Sequence, residues 1–249
     1  MKTSANSSAD KKTKEAVPDE TALAELGESA VAPAHEGPVS LVIGQVSGSE
    51  QRDVILPRLG MAQNVGALKN EHNNDPGDLV LNKDTLLVAK DTALSLTVLS
   101  INKKWEEDLP FDSDGPMPKV FGSVQAVQDA GFWTDWRGDQ RPPVREVADM
   151  LILIKQPEGI ESASFSVTIN DEPHALAMWT VRKTSYKAAA KKVFTASVIE
   201  LQKTGILSGK WELKSTETKT GSNWYFIPVL KLVGKHDEDT IAQIATCMQ

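Results

Sequence analysis

The amino-acid sequence predicts a mostly β domain with inserted helices over residues 40–249, preceded by a disordered acidic arm over residues 1–39. Three observations carry that prediction. From Val39 onward short apolar runs alternate with period two, which is the signature of half-buried strands. Clusters of turn formers separate the runs. The first 39 residues are rich in Ala, Ser, Glu, Lys and Pro and contain no aromatic residue, so they cannot bury enough surface to offset the entropy of ordering.

Taken in order, strands are expected at 40–46, 53–61, 78–81, 86–89, 93–103, 150–155, 163–169, 174–181, 210–216 and 224–232. Between them lie Asn74-Asp75-Pro76-Gly77, Asn82-Lys83-Asp84, Pro157-Glu158-Gly159, Asn170-Asp171-Glu172-Pro173 and Lys219-Thr220-Gly221-Ser222. Helices are expected at 122–130, ending at Gly131, at 185–202 with Thr184 as N-cap, and at 237–248 with Asp237, Glu238 and Asp239 at the favourable end. In the middle helix Tyr186, Ala189, Ala190, Val193 and Phe194 fall on one stripe, and Lys187, Lys191 and Lys192 lie off it. Within the arm, residues 19–32 contain helix formers that suit a transient or partner-induced helix, since an isolated helix this short is marginal in water. Many short strands with a few helices suggest a small barrel or sandwich, and an elaborated OB-like barrel fits the count.

The 249 residues carry a net charge of −7 and 40% apolar residues, enough for one sizeable core and too acidic for a general coat on duplex DNA. A single cysteine, Cys247, excludes an internal disulfide and suits a reducing cytoplasm. The opening residues lack the apolar stretch of a secretory signal, and no window is apolar enough to span a bilayer, so no membrane role is expected.

Catalytic and metal-binding patterns are weak. His35, His72, His174, His236 and Cys247 have no metal-ligand spacing, so neither a metal nor another cofactor is expected. Asp112-Ser113-Asp114-Gly115 lacks the later acidic ligands of a calcium loop. Gly205-Ile206-Leu207-Ser208-Gly209-Lys210 is one residue short of a phosphate-binding loop and is followed by Trp211, so it reads as a turn into a strand. Arg137-Gly138-Asp139 is a chance tripeptide, and there is no Gly-x-Ser-x-Gly elbow.

The charge map is more informative. Between Arg182 and Lys219 nine basic residues face three acidic ones, a local balance of +6 that leaves −13 on the rest of the chain. A polyanion needs local rather than global potential, so Lys183, Lys187, Lys191, Lys192, Lys210 and Lys214, with Arg182 and Lys219, are candidate phosphate contacts. Trp179, Tyr186, Trp211, Trp224 and Tyr225 are interleaved with them, and bases stack on such rings. Alternation in Lys210-Trp211-Glu212-Leu213-Lys214 puts Trp211 opposite the two lysines, on the side a core would take. Lys103-Lys104-Trp105 repeats the pattern, offset by Glu106, Glu107 and Asp108. Phe132, Trp133 and Trp136, with Arg137, Arg141 and Arg145, form a second cluster that suits bases, a protein partner or pinning to the core.

Leu56-Pro57-Arg58-Leu59 running to Gln63, Pro76-Gly77-Asp78, residues 96–105, Trp179 through Tyr186 to Lys192, and Trp211 with residues 223–228 together resemble bacteriophage single-stranded DNA-binding proteins with an OB fold, over roughly residues 52–248. The resemblance implies a non-enzymatic accessory of DNA replication or recombination, working in host cytoplasm, that coats single-stranded DNA without sequence preference. It also implies contacts with replication or recombination proteins, here through the N-terminal arm, and a possible homo-oligomer. Unlike many such proteins, this chain ends in an expected helix rather than an acidic tail, and its acidic segment is N-terminal. The competing expectation is a β-rich virion or assembly protein acting through protein contacts.

Overall fold

The computed structural model describes residues 55–109 and 117–247. The arm, the strand expected at 40–46 and the turn at 112–115 lie outside them.

Strands β1 (Leu59–Met61), β2 (Leu79–Leu81) and β3 (Thr85–Val88) form a small antiparallel sheet in that order. The larger sheet contains β4 (Leu94–Glu107), β6 (Val144–Lys155), β7 (Val167–Ile169), β8 (Glu172–Arg182), β9 (Gly209–Thr220) and β10 (Asn223–Lys235) in the order β10-β9-β4-β6-β8-β7, with β5 (Val120–Phe121) paired to β4. Two short helices, α1 (Ala67–Asn70) and α2 (Val124–Asp129), sit in connections. One helical run joins β8 to β9 and comprises α3 (Lys183–Ser185), a π-helical segment Tyr186–Ala190, and α4 (Lys191–Ile199). Helix α5 (Glu238–Thr246) follows β10. The chain is mostly β with inserted helices, as its alternation predicts.

Local chemistry explains where elements start and stop. Asn170 and Asp171 both take positive φ, 50° and 62°, and close the β7–β8 hairpin in two residues, the geometry that matches strand twist. Strand β7 begins four residues later than expected because Ser162 closes a local turn, accepting from the Ser164 and Phe165 amides. Strand β6 begins six residues earlier than its apolar run, since β4 supplies partners out to Glu107. Thr184 does not cap the helical run: the run starts one residue before it, at Lys183, whose φ is +52°.

A β-bulge between Val98 and Ser100 decides which residues of β4 face inward. Before it Leu94, Leu96 and Val98 point into the core; after it Ile101, Lys103 and Trp105 do, and the extra residue Leu99 joins the opposite face with Leu153, Ile169 and Ile244. The main core is built from the inward residues of β4, β6, β8 and β9 and from Tyr186, Ala189, Ala190 and Val193 of the helical run. Each large side chain buried there contributes about 1.5–3 kcal/mol.

The sheet coils around that run. The π-helical segment touches β6 and β8 on one side and β10 on the other, so the two flanks of the strand path approach one another with the helix between them. Pairing along the path is open, and residues 57–64 span the seam. The Met178 amide donates to the Pro57 carbonyl at 2.8 Å, beside a parallel bridge between Arg58 and Met178. Six residues after Pro57, the Gln63 side chain substitutes for a strand: its Nε2 donates to the Phe226 carbonyl and its Oε1 accepts the Phe226 amide, both at 3.0 Å. Gly77 permits the close approach there, with φ +97° and no room for a Cβ, which would lie 2.8 Å from the Phe226 ring.

Replacing Gln63 by Ala leaves both backbone groups of buried Phe226 without partners. Urea denaturation is expected to show a loss of about 1–3 kcal/mol, with faster hydrogen exchange at the Phe226 amide. Unchanged stability and exchange would mean that the seam is held elsewhere.

Candidate functional site

The cations expected to form one strip are distributed over two sides of the sheet, and half of them are already engaged. On the core face Lys103 donates to Glu146 at 2.7 Å and lies 4.7 Å from the centre of the Trp105 ring and 5.9 Å from that of Tyr186. Lys191 approaches the same carboxylate at 3.7 Å. Burial pulls the Lys103 ammonium down, but the Glu146 hydrogen bond and charge outweigh it and the net shift is upward.

On the outer face Lys104 pairs with Asp149 at 2.5 Å, and Thr180 donates to the same carboxylate at 2.6 Å. Glu106 accepts from Arg145 and Arg182, each at 2.9 Å, and Asp108 from Arg145 at 2.8 Å and Arg141 at 2.5 Å, with Lys183 at 3.8 Å. Burial raises the Glu106 and Asp149 pKa values, yet hydrogen bonds from Arg145 and Arg182 to the first, and from Lys104 and Thr180 to the second, bring both below the ordinary carboxylate range.

These contacts correct the expected site. Lys103, Lys104, Arg182, Lys183 and Lys191 are matched by carboxylates and supply little free potential. Trp179 and Tyr186 are 5% and 3% exposed within the core, so their ring faces are closed to bases. Trp211 is buried as its alternation predicts.

Among the described residues Lys187, Lys192, Lys210, Lys214 and Lys219 make no ion pair. Lys187 and Lys192 stand on the exposed side of the run packed on the core face, whereas Lys210 and Lys214 alternate away from buried Trp211 and Leu213 onto the outer face. The expected continuous strip is therefore split by the sheet. What survives is a two-stranded ribbon, β9–β10. Cross-strand register puts Lys214 opposite Val229, Glu212 opposite Lys231 and Thr218 opposite Tyr225, all on the outer face. At the tip Lys219 lies opposite Trp224 on the other face, with its ammonium 5.0 Å from the ring centre, and the ring is 52% exposed. The hairpin loop is Gly221-Ser222, with Gly221 at φ +61°.

The connection between β4 and β6 carries the second aromatic cluster. Phe132 packs edge-on against Phe121 at 5.7 Å beside Trp105 and Val127, Arg137 covers the Trp133 ring at 4.7 Å, and Trp136 is 66% exposed. One ring there is pinned to the core and one is open.

Sequence reasoning treated His174 and His236 as unrelated, and the structure brings them to one cavity of about 280 Å³ beneath α5. His174 alternates outward on β8, away from buried Ala175 and Ala177. His236 reaches the same space only because the chain turns after β10 and α5 packs against β7, where the Asn170 backbone amide donates to Gln243 Oε1 and Gln243 Nε2 donates to Asn170 Oδ1. Burial lowers both imidazole pKa values. Among the described residues no cluster of three or more His, Cys, Asp or Glu has metal-binding geometry, and no helix is long and apolar enough to cross a membrane.

No family model matches the chain, and neither the curated proteins nor the solved structures contain a match.

The charged cluster has a testable pH signature. The folded-state pKa values of Glu106 and Asp149 lie below their unfolded values, so their stabilisation is complete above the ordinary carboxylate range and is lost as pH falls through the folded values. In urea melts at neutral pH, Glu106→Gln is expected to cost about 1.5–3 kcal/mol. The gap between variant and parent should narrow as the buffer is acidified below that range. A gap independent of pH would mean that the carboxylate charge is not what stabilises the cluster.

Proposed function

We propose that this protein binds single-stranded DNA without catalysis, along the β9–β10 ribbon. The observation that carries the reading is Trp224, a large ring left half exposed at a hairpin tip with the Lys219 ammonium above it. Stacking a base on such a ring while a cation attracts the backbone is how single strands are held without sequence readout, at about 1–3 kcal/mol per stacked base.

Two further features support it. Lys214, Lys231 and Tyr225 place further cationic and aromatic groups on the outer face of the same ribbon, opposite to Trp224 and Lys219. Counting β4, β6, β8, β9 and β10 as five successive strands of a coiled sheet, the β9–β10 loop is the fourth-to-fifth connection, and the β4–β6 connection with Trp136 is the first-to-second. In partly open five-stranded Greek-key barrels those two loops take oligonucleotides. A place in replication or recombination follows from the resemblance of the sequence to phage single-strand-binding proteins, and the proposal extends to it.

Titrating oligothymidine into the full chain should quench tryptophan emission at low salt, and log K should fall linearly with log salt with a slope of about −0.7 per phosphate neutralised. Trp224→Ala should remove most of the quench and weaken binding by about 1–3 kcal/mol. Charge reversal at Lys214 and Lys219 should weaken binding more than charge reversal at Lys187 and Lys192. The opposite ranking would move the groove to the helix. Unchanged emission at low salt, together with stable oligomers, would instead favour an assembly protein acting through the Trp136 loop.

A further inference from the structure

We propose that the cavity beneath α5 is a binding site for a phosphate monoester, distinct from the ribbon, held by Lys210, Lys155 and the imidazoles of His174 and His236. Its volume of about 280 Å³ lies at the small end of ligand sites. The walls come from six strands, β4 and β6 to β10, and from α5 with the turn into it, so polar groups converge on it from several directions.

The chemistry of the unpartnered groups selects the ligand. Lys210, on the wall, has no ion-pair partner among the described residues. An ammonium is a donor only, so the missing partner is an acceptor. The two carboxylates at the cavity are occupied. Asp237 caps α5, accepting from the Thr240 amide at 2.8 Å and its hydroxyl at 2.7 Å. Glu172 pairs with Lys155 at 2.5 Å; both side chains are about half exposed, a setting in which ion pairs contribute little and exchange readily. Among the described residues no arginine lines the cavity, so they do not supply the planar fork that suits a carboxylate, whereas lysines act as point charges around a tetrahedral oxyanion.

The histidines add a proton-linked element. His174 Nδ1 lies 2.8 Å from the Glu172 carbonyl, which can only accept, so Nδ1 carries the proton and Nε2 of the neutral ring holds a lone pair. His236 Nε2 lies 2.8 Å from the Thr97 hydroxyl. Burial first, then Lys155 beside His174 and Lys210 beside His236, hold both rings below the usual histidine range, against the opposing pull of Glu172 and Asp237. A bound dianion reverses that balance, because each imidazolium gains a donor aimed at it and a charge to match. Binding therefore takes up protons, and affinity rises as pH falls from the alkaline side until the rings are protonated in the free protein.

The test follows the histidine ring signals of the full-length protein by NMR during titration with sodium sulfate, whose own charge is constant across the range, and then with inorganic phosphate. The His174 and His236 signals should shift and their pKa values rise, with His72 as an unaffected reference. Sulfate affinity should weaken by up to about tenfold per pH unit for each proton taken up. Lys210→Ala should lower it about tenfold or more while near-UV circular dichroism stays unchanged. Competition then separates the sources of the ligand: displacement of sulfate by 5′-phosphorylated but not 5′-hydroxyl oligothymidine identifies a strand end, and displacement by thymidine monophosphate alone identifies a free small phosphate. The proposal is overturned if neither anion moves the His174 and His236 signals at millimolar concentration, or if Lys210→Ala leaves the response intact. Loss of oligothymidine quenching in the Trp224→Ala protein, with sulfate binding retained, distinguishes this site from the ribbon.

Discussion

The seating of the π-helical segment Tyr186–Ala190 inside the coiled sheet is the contact on which the other features depend. Ala189 and Ala190 are fully buried and small enough to let the helix backbone approach the strands, while Tyr186 fills the space between the helix and Lys103. Because this run meets β6 and β8 on one flank and β10 on the other, the sheet needs no continuous ladder to enclose a core. Residues 57–64 then cover the remaining seam with one backbone bond and one side-chain clasp. A π-helical turn at such a position is economical: one widened turn re-aims the stripe without ending the helix.

The same packing decides the electrostatics. Drawing β4, β6 and the start of the helical run together places Glu106, Asp108, Glu146 and Asp149 among Lys103, Lys104, Arg145, Arg182, Lys183 and Lys191. Charges so arranged stabilise the junction and cancel one another at a distance, so the surplus of lysine in the sequence does not translate into surface potential at that end. Of the expected contact cations, Lys210, Lys214 and Lys219 on the ribbon and Lys187 and Lys192 on the helical run make no ion pair among the described residues. Burial of Trp179 and Tyr186 acts in the same direction, removing two of the expected rings from solvent and leaving Trp224 at the tip and Trp136 in the β4–β6 connection.

Read residue by residue, the sequence by itself determined the β class, the alternation that buries Trp211 and Leu213 opposite Lys210 and Lys214, the exposure of Lys187, Lys191 and Lys192 on the helix, and the turns at Asn170-Asp171 and Gly221-Ser222. Those features depend on periods of 2 and 3.6 and on turn chemistry, which are properties of neighbouring residues. Only the tertiary structure decided the rest. A bulge at Leu99 reversed the faces of Lys103 and Lys104, residues far apart in the chain supplied the carboxylates that neutralise half the cations, and the return of α5 joined His174 to His236. Each of those outcomes depends on which strand lies beside which, and a charge or a ring acquires its role from the groups that packing places within a few ångströms of it.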